Sequence, residues 1–527
     1  MREYFGNMLS RLKERKLGMV FLTLQLIASV AIVILVERLH MLKPVFLGAI
    51  IGGVAVLFLL MVIGNGAKSK FHICAKVISA LLIIVYGFGA YYLYVARDAA
   101  GKVTDVNIQT EKVSIYVLKT NEAETINDVV DGTFAVFNVS GSSNKIDETI
   151  ASVNAHVNKE IATKEFSDAV SAAKALYEKE VDAIIMDESY VQMIEDNKTY
   201  KDFETETKVL ESYEHKTTLQ NLNAVSDVTE KPFSVFISGI DTFGDVNKKS
   251  RSDVNMTATI NPKTKQILLT STPRDYYVET TVSNGQKDKL THAGLYGIEC
   301  SIGTLEKLYN MQINYNVRVN FSGFEDIVDA LGGITVHSDY DFTSDQGPAF
   351  VKGDNEMNGK QALAFARERH AFAAGDIQRN KDQQYVMQGI INKVCSPTIL
   401  TNFASILKSI EGNMSTNLKY DDIAAFVQMQ INDGASWDVI MIGLDGEGKK
   451  LTTYSAPSQS AYVMLPNETK VSNATALINK VLNGEVFTQE QAKEVMKSST
   501  VIDATTPLAT TEPSASPATE PTASPKN

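Results

Sequence analysis

The sequence predicts an α/β protein hung from a membrane. Three observations carry this. Three long uncharged apolar runs open the chain, two stretches of alternating strand and helix patterns follow, and a Pro/Thr/Ser-rich segment ends it. At 527 residues the chain is long enough for two or three domains. With 44% hydrophobic and 21% charged residues, most of it can bury a core. The net charge of -12 argues against a general nucleic-acid binder, which would carry a basic surface.

Leu17–Val36, Pro44–Gly64 and Val77–Ala96 each approach the ~20 apolar residues that span a bilayer. Tyr91, Tyr92 and Tyr94 close the third run as an interfacial belt. A cleavable signal peptide would show one shorter apolar run and a small-residue cleavage site, so three runs read as an anchor. Arg2, Arg11, Lys13, Arg15 and Lys16 precede the first run, and Lys68, Lys70 and Lys76 lie between the second and third. Only Arg38 and Lys43 lie between the first two. The positive-inside rule therefore places residues 1–16 in the cytoplasm, the three spans in 17–96, and everything after Arg97 outside.

Residues 97–231 read as a small α/β domain. Val113–Leu118, Thr133–Asn138 and Val181–Met186 have strand character, and Lys145–Val157 and Phe166–Glu178 have helical spacing. No phosphate loop or nucleophile motif appears there, which fits an accessory role as spacer or regulator. A second α/β domain is expected over 232–485, with a polar tail over 486–527. From Ala504 the tail is rich in Pro, Thr and Ser and cannot bury enough apolar area to fold. It either reaches outward or has no role. Cys74 flanks an apolar run. Cys300 and Cys395 are open to pairing outside the cytoplasm, which spacing alone does not decide.

The chemistry concentrates in the second domain. Phe233–Ser238 reads as a strand leading to Asp241. Val254–Ile260 and Gln266–Thr272 read as a hairpin around Asn261-Pro262-Lys263-Thr264. Pairing Ile260 with Lys265 brings Asp253 opposite Thr272 and Arg251 near Arg274. Arg251, Asp253, Arg274 and Asp275 then gather at one hairpin end. Carboxylates interleaved with arginines suit a metal-bound polyphosphate, since carboxylate oxygens hold Mg²⁺ and guanidinium forks grip phosphate. A surface ion-pair network is the alternative. A second cluster weighs against it. Gly359–Arg367 has helical spacing and runs into Arg367-Glu368-Arg369. Asp376 opens a helical run to Val394 in which Arg379 and Gln383 share a face. Asp376 is a helix N-cap or a catalytic carboxylate.

These pieces, in order, are SGID at Ser238–Asp241, RSD at Arg251–Asp253 and INPKTKQILLTSTPRD at Ile260–Asp275. KLTHA follows at Lys289–Ala293, then VRVNFSGFEDIVDALGGI at Val317–Ile334, FARER at Phe365–Arg369 and GDIQRNKDQQ at Gly375–Gln384. Over Phe233–Val394 the chain resembles the LytR-CpsA-Psr family. The three-span anchor and preceding domain resemble its capsule-assembly subgroup.

That resemblance implies a central mixed sheet flanked by helices and an extracytoplasmic Mg²⁺- or Mn²⁺-dependent phosphotransferase. It would move a glycopolymer with its phosphate from polyprenyl pyrophosphate to peptidoglycan, attaching capsule, teichoic acid or another wall polysaccharide. The acceptor would be the C6 hydroxyl of N-acetylmuramic acid. Asp241 and Asp253 would bind the metal. Arg251, Arg274, Arg367, Arg369 and Arg379 would hold the pyrophosphate with Gln383, and Asp275 or Asp376 would serve as base. Phe321, Phe324, Ile327, Val328 and Leu331 would line a tunnel for the polyprenyl tail, or are plain core. One departure stands out: the family often has an arginine before the paired glutamines, where this chain has Asp382. Two rival readings are a pyrophosphatase using the same residues with water, and a non-enzymatic transcriptional attenuator. The sequence shows no DNA-binding helix pair.

Overall fold

The computed structural model describes residues 10–12, 14–38, 44–67, 70–137, 143–219, 223–240, 245–396 and 406–502. The expected strand end at Asn138 and the segment from Ala504 lie outside these residues, as do the flanking Arg2, Lys13, Lys43 and Lys68.

Helices α1 (Lys16–Arg38), α2 (Pro44–Gly66) and α3 (Phe71–Val103) are each long and apolar enough to cross a membrane. Their leucines, isoleucines and valines are exposed around most of the circumference, as suits helices whose solvent is lipid. The third helix does not stop at Ala96. Its last turns bury Ala96, Ala99, Ala100 and Val103, and the last three pack against Val328, Leu331 and Phe365 of the larger domain. The Lys102 ammonium, 2.6 Å from Glu411, fixes the same end. The anchor is thus continuous with the fold it carries.

The smaller domain is a five-stranded sheet of β1 (Ile108–Leu118), β2 (Thr133–Phe137), β3 (Ala162–Phe166), β4 (Ala183–Asp187) and β5 (Thr207–Thr218), in the order β3-β2-β4-β1-β5. Helix α4 (Ser143–Val157) covers one face through Val113, Ile115 and Val117. On the other face lies α5 (Ala169–Tyr177), starting later than the periodicity predicted because Asp168 caps it with Ser171 in a reciprocal box. The core on that face also takes in Ala293, Leu295, Tyr296 and Cys300 of the larger domain. A buried Lys249–Glu111 pair at 2.7 Å and the Ile298 N–H donating to Gln109 Oε1 at 3.0 Å close the seam. A buried pair of this kind fixes register more than it adds stability.

The larger domain is built on a six-stranded mixed sheet. Its strands are β6 (Phe233–Ile240), β7 (Ser252–Asn261), β8 (Gln266–Thr272), β9 (Tyr315–Val319), β12 (Met414–Thr416) and β13 (Asp438–Gly443), in the order β12-β9-β6-β7-β8-β13. The strands β10 (Ile334–Ser338) and β11 (Gly353–Met357) pair apart from it. Helices flank both faces, so Leu268 turns to one core and Ile267 and Leu269 to the other. On one face sit α7 (Ile298–Tyr309), α12 (Glu468–Leu482) and α13 (Gln489–Lys497), and on the other α10 (Asp376–Val394) and α11 (Tyr420–Asp433). Helix α6 (Val191–Glu195) in the smaller domain, α8 (Phe321–Ala330) and α9 (Gly359–Arg367) complete the parts used below.

Three expectations need correction. The polar stretch after 485 does not begin a tail: in α13 Ala492, Val495 and Met496 join the core, and Gln489 exchanges two 2.8 Å hydrogen bonds with the Met441 backbone. An amphipathic helix with few apolar residues passes for linker by composition. Cys300 and Cys395 are free, because they pack in two separate cores. The hairpin register is shifted by two: Ile260 pairs with Ile267 and Asn255 with Thr272. The turn keeps its four residues but sits one position later, over 262–265, with Lys265 at φ 55°. A two-residue shift keeps every side chain on its expected face, but it brings Asp253 to Arg274 instead of Thr272.

Candidate functional site

A cavity of about 340 Å³ opens between the sheet and α8, α9 and α10. Part of its lining is apolar, formed by Ile237, Ile240, Val254, Met256, Phe324 and Val386 among others. The same lining carries Asp253, Arg274, Arg367, Arg369, Arg379 and Gln383, with Arg274 and Arg369 close enough to Arg379 for their charges to act on it. A cavity lined by both apolar side chains and arginines is amphipathic in the same sense as a lipid phosphate.

Each charged side chain is placed by its element. Asp253 and Arg274 flank the open end of the β7–β8 hairpin, with Arg274 Nη1 donating to Asp253 Oδ2 at 2.6 Å. The Thr291 hydroxyl donates to the other Asp253 oxygen at 3.4 Å. Burial lowers the Arg274 pKa, but Asp253, Asp275 and Asp376 more than offset it and hold it above its ordinary value. Arg379 is driven the other way. Burial is the first cause and the charges of Arg274 and Arg369 add to it, against Asp376 and Asp253. Its Nη2 lies 2.5 Å from Asp376 Oδ1, while its buried Nε has no hydrogen-bond partner. Arg367 lies 4.1 Å over the Phe321 ring.

The loop after α9 is held by a residue that sequence reasoning passed over. Buried Glu368 accepts backbone N–H groups of Asp345, Arg369, His370 and Ala371 at 2.7–3.0 Å. Burial raises its pKa, but these donors prevail and lower it. Glu368 thereby fixes the direction in which Arg369 leaves the chain. The paired glutamines divide their work. Gln383 reaches the cavity, whereas Gln384 donates to Leu269 O at 3.0 Å and Ile442 O at 2.8 Å, pinning α10 to the sheet. Bonds from a side chain to a distant sheet backbone leave no pattern in a linear sequence.

Of the residues singled out by sequence, Asp253, Arg274, Arg367, Arg369, Arg379, Gln383, Phe321 and Phe324 line this one cavity. Asp275 and Asp376 sit outside its lining. Asp275 lies 3.0 Å from Lys289 Nζ. Asp376 is the first residue of α10 and not its cap, which is Gly375. Arg251 is elsewhere: its guanidinium meets Asp196 at 2.5 Å and Gln192 at 3.2 Å, both in or beside α6 of the smaller domain. Ile327, Val328 and Leu331 are core residues that pack with the end of α3. At ~1.5 Å rise per residue, the apolar stripe of α8 leaves the cavity after its first turn. Asp241 lies outside the described residues. Among the described residues no group of three or more His, Cys, Asp or Glu side chains is arranged to hold a metal ion. Asp253 nevertheless offers a hard oxygen donor beside Arg274, and Mg²⁺ needs only one or two carboxylates when phosphate supplies the rest.

Asp382 faces away from the cavity. It is 1% exposed, accepts from Gln378 Nε2 at 2.9 Å, and its Oδ2 has no hydrogen-bond partner. Burial first, then the charges of Asp339 and Glu368, push its pKa up to about 7. An unfolded Asp titrates near ~3.9, so the folded state binds this proton more tightly. The stability this group contributes is full below about pH 4 and is lost as pH climbs toward 7, by about 1.4 kcal/mol for each tenfold fall in proton concentration between them. Asp382→Asn is therefore expected to raise Tm at pH 8 and to match the parent at pH 4. Equal melting curves at pH 8 would show that the carboxylate is not held in this state.

Residues 190–471 match the LytR_cpsA_psr family. The chain is 36% identical over 263 residues to the polyisoprenyl-teichoic acid–peptidoglycan teichoic acid transferase TagU of Bacillus licheniformis, covering 50% of this chain and 81% of that protein. It is 42% identical over 207 residues to TagU of Bacillus cereus, covering 39% of this chain and 67% of that one. The crystal structure of B. subtilis TagU aligns over 49% of this chain and 100% of its own, with 33% identity and a TM-score of 0.39.

Proposed function

The chain belongs to the LytR-CpsA-Psr family, and we propose that it is a membrane-anchored phosphotransferase that moves a glycopolymer phosphate from a polyprenyl pyrophosphate to peptidoglycan. The observation that carries this is the cavity itself, whose lining joins apolar side chains to Arg274, Arg367, Arg369 and Arg379. That shape accepts a lipid tail and its pyrophosphate together. The names of the B. licheniformis and B. cereus relatives supply the polymer class, a teichoic acid, and the acceptor.

In this reading the arginines clamp the pyrophosphate oxygens and orient the phosphorus that bears the glycan. A wall hydroxyl, such as the C6 hydroxyl of N-acetylmuramic acid, attacks that phosphorus. The bond to the bridging oxygen breaks, polyprenyl phosphate leaves, and the hydroxyl proton passes to Asp376 or Asp275 at the rim. Most of the rate gain comes from positioning and charge neutralisation. A divalent cation, Mg²⁺ or Mn²⁺, would be held by Asp253 with Asp241 and would supply further neutralisation of phosphate charge. Arg251, turned to α6, belongs in this reading to the seam between the domains.

Mass spectrometry of wall fragments tests the proposal after incubating the full chain in nanodiscs with a lipid-linked glycan and peptidoglycan. Glycan-phosphate on the wall fragments is expected. Free glycan-phosphate with the wall fragments unmodified would make the protein a pyrophosphatase instead.

The orientation follows from the lysine and arginine asymmetry around the spans. Protease added to wall-stripped cells is expected to digest the region beyond Arg97 and spare the segment before Leu17. Protection of the C-terminal region would overturn both location and function, and would revive the attenuator reading.

A further inference from the structure

Beside the cavity mouth lies a two-stranded ribbon, β14 (Gly446–Thr453) and β15 (Ala456–Pro466). It is tied to the segment that follows Arg274. Met464 N–H donates to Asp275 O at 2.7 Å, the Tyr276 hydroxyl donates to Asp445 O at 2.7 Å, and the Tyr277 hydroxyl donates to Thr452 O at 2.9 Å. Ribbon and rim are therefore hydrogen-bonded to each other at three points. Lys450 pairs with Tyr462 across the ribbon and Thr452 with Ser460, so all four side chains share one face. All four are exposed.

Tyr462 is an unusual surface residue. It is 49% exposed, yet its ring has a built seat. A Cβ on Gly448 would sit 2.8 Å from the ring carbon Cε2 and 2.9 Å from the hydroxyl, so the ring lies across that glycine. The hydroxyl is held above its ordinary pKa first by partial burial and then by the charges of Asp275 and Asp376. Lys450 makes no ion pair among the described residues, whereas its neighbour Lys449 is engaged by Glu447 at 3.4 Å.

We propose that this ribbon face is the acceptor platform, with Tyr462 stacking on a sugar ring of the glycan strand and Lys450 meeting a stem-peptide carboxylate. A seated aromatic with one face open offers apolar area at little entropic cost. The occupant is argued from charge and continuity. The wall glycan carries carboxylates that complement the unpaired ammonium, and the platform is hydrogen-bonded to the residue next to Arg274. An acceptor resting there lies on the element that is hydrogen-bonded to Asp275, the residue after Arg274. This proposal rests on the transferase reading and adds the acceptor's binding site to it.

The test uses the full chain in nanodiscs, a lipid-linked glycan donor and a soluble muramyl-peptide tetrasaccharide. Tyr462→Ala is expected to raise the acceptor KM tenfold or more while the donor KM stays within twofold. Tyr462→Phe keeps the ring and should stay within threefold of the parent. Lys450→Glu, fully on the surface, should raise the acceptor KM several-fold. Unaltered acceptor KM in both Tyr462→Ala and Lys450→Glu overturns the platform, as does a donor KM that rises in parallel. Calorimetric titration of the tetrasaccharide separates the two readings. If the parent transfers nothing yet binds the tetrasaccharide through Tyr462, the transferase reading fails and the platform stands. If the parent does not bind it, the platform fails.

Discussion

Asp253→Ala is expected to lower the transfer rate by roughly 10²-fold or more, the scale on which one group that neutralises transition-state charge is felt. The structure indicates where the loss should fall. Asp253 lies in the cavity wall with one oxygen on Arg274 at 2.6 Å and the other on Thr291 at 3.4 Å. Its charge therefore competes with any incoming phosphate for Arg274. Removing it frees that guanidinium, so donor affinity should hold or improve while kcat falls. A merely structural carboxylate would act differently, lowering both together through misfolding. Asp253→Asn keeps the shape and abolishes the charge, and should show the same kcat loss in a protein that still folds, with a Tm lowered by the loss of the Arg274 partner. Rate titrations against Mg²⁺ complete the test. Parental kcat and parental Mg²⁺ response in Asp253→Asn would remove this residue from the metal site.

What the sequence made legible follows from which forces write periodic patterns. The anchor helices and the central strands were visible because each buries or exposes apolar groups at a regular period. Two edge strands escaped notice. Ala162–Phe166 and Thr207–Thr218 carry Lys, Glu and Thr on half-exposed faces, as edges that resist aggregation do. The β5 strand is nonetheless paired along its length with β1. The cationic lining of the cavity was legible as a cluster of types, because arginines and carboxylates recur in short motifs. Its membership was not. Arg251 sits two residues before Asp253, yet the smaller domain draws it to Asp196, and nothing local encodes a contact across 55 positions. The α8 stripe misled for a related reason. Periodicity names the buried face but not which part of it meets a cavity and which part meets the end of α3. Glu368 was hidden because its partners are backbone amides, which every sequence has.

Arg379→Ala should give opposite signs in two measurements. Arg379 is 7% exposed and its pKa is lowered, first by burial and then by Arg274 and Arg369. Asp376, 2.5 Å from Nη2, is its only ion-pair partner among the described residues. Its Nε is buried without a hydrogen-bond partner. A buried cation among other cations strains the fold that holds it, since desolvation and like charge both oppose it. Truncation should therefore leave Tm equal to the parent or raise it. Binding should move the other way. A pyrophosphate oxygen would satisfy the open donor and relieve the mutual repulsion of the three arginines. The lost charge-assisted bonds are each worth about 1.5–3 kcal/mol, or roughly tenfold or more in Kd. Arg379→Lys retains charge without the planar fork and should fall between the two. Titrating the full chain in detergent with a short-chain polyprenyl pyrophosphate, alongside melting curves, reads both signs. Weaker binding with a lowered Tm would mean that Arg379 mainly holds α10 in place through Asp376. Parental binding with a raised Tm would leave a strained arginine that grips nothing, and the cationic lining of the cavity would not be the pyrophosphate site.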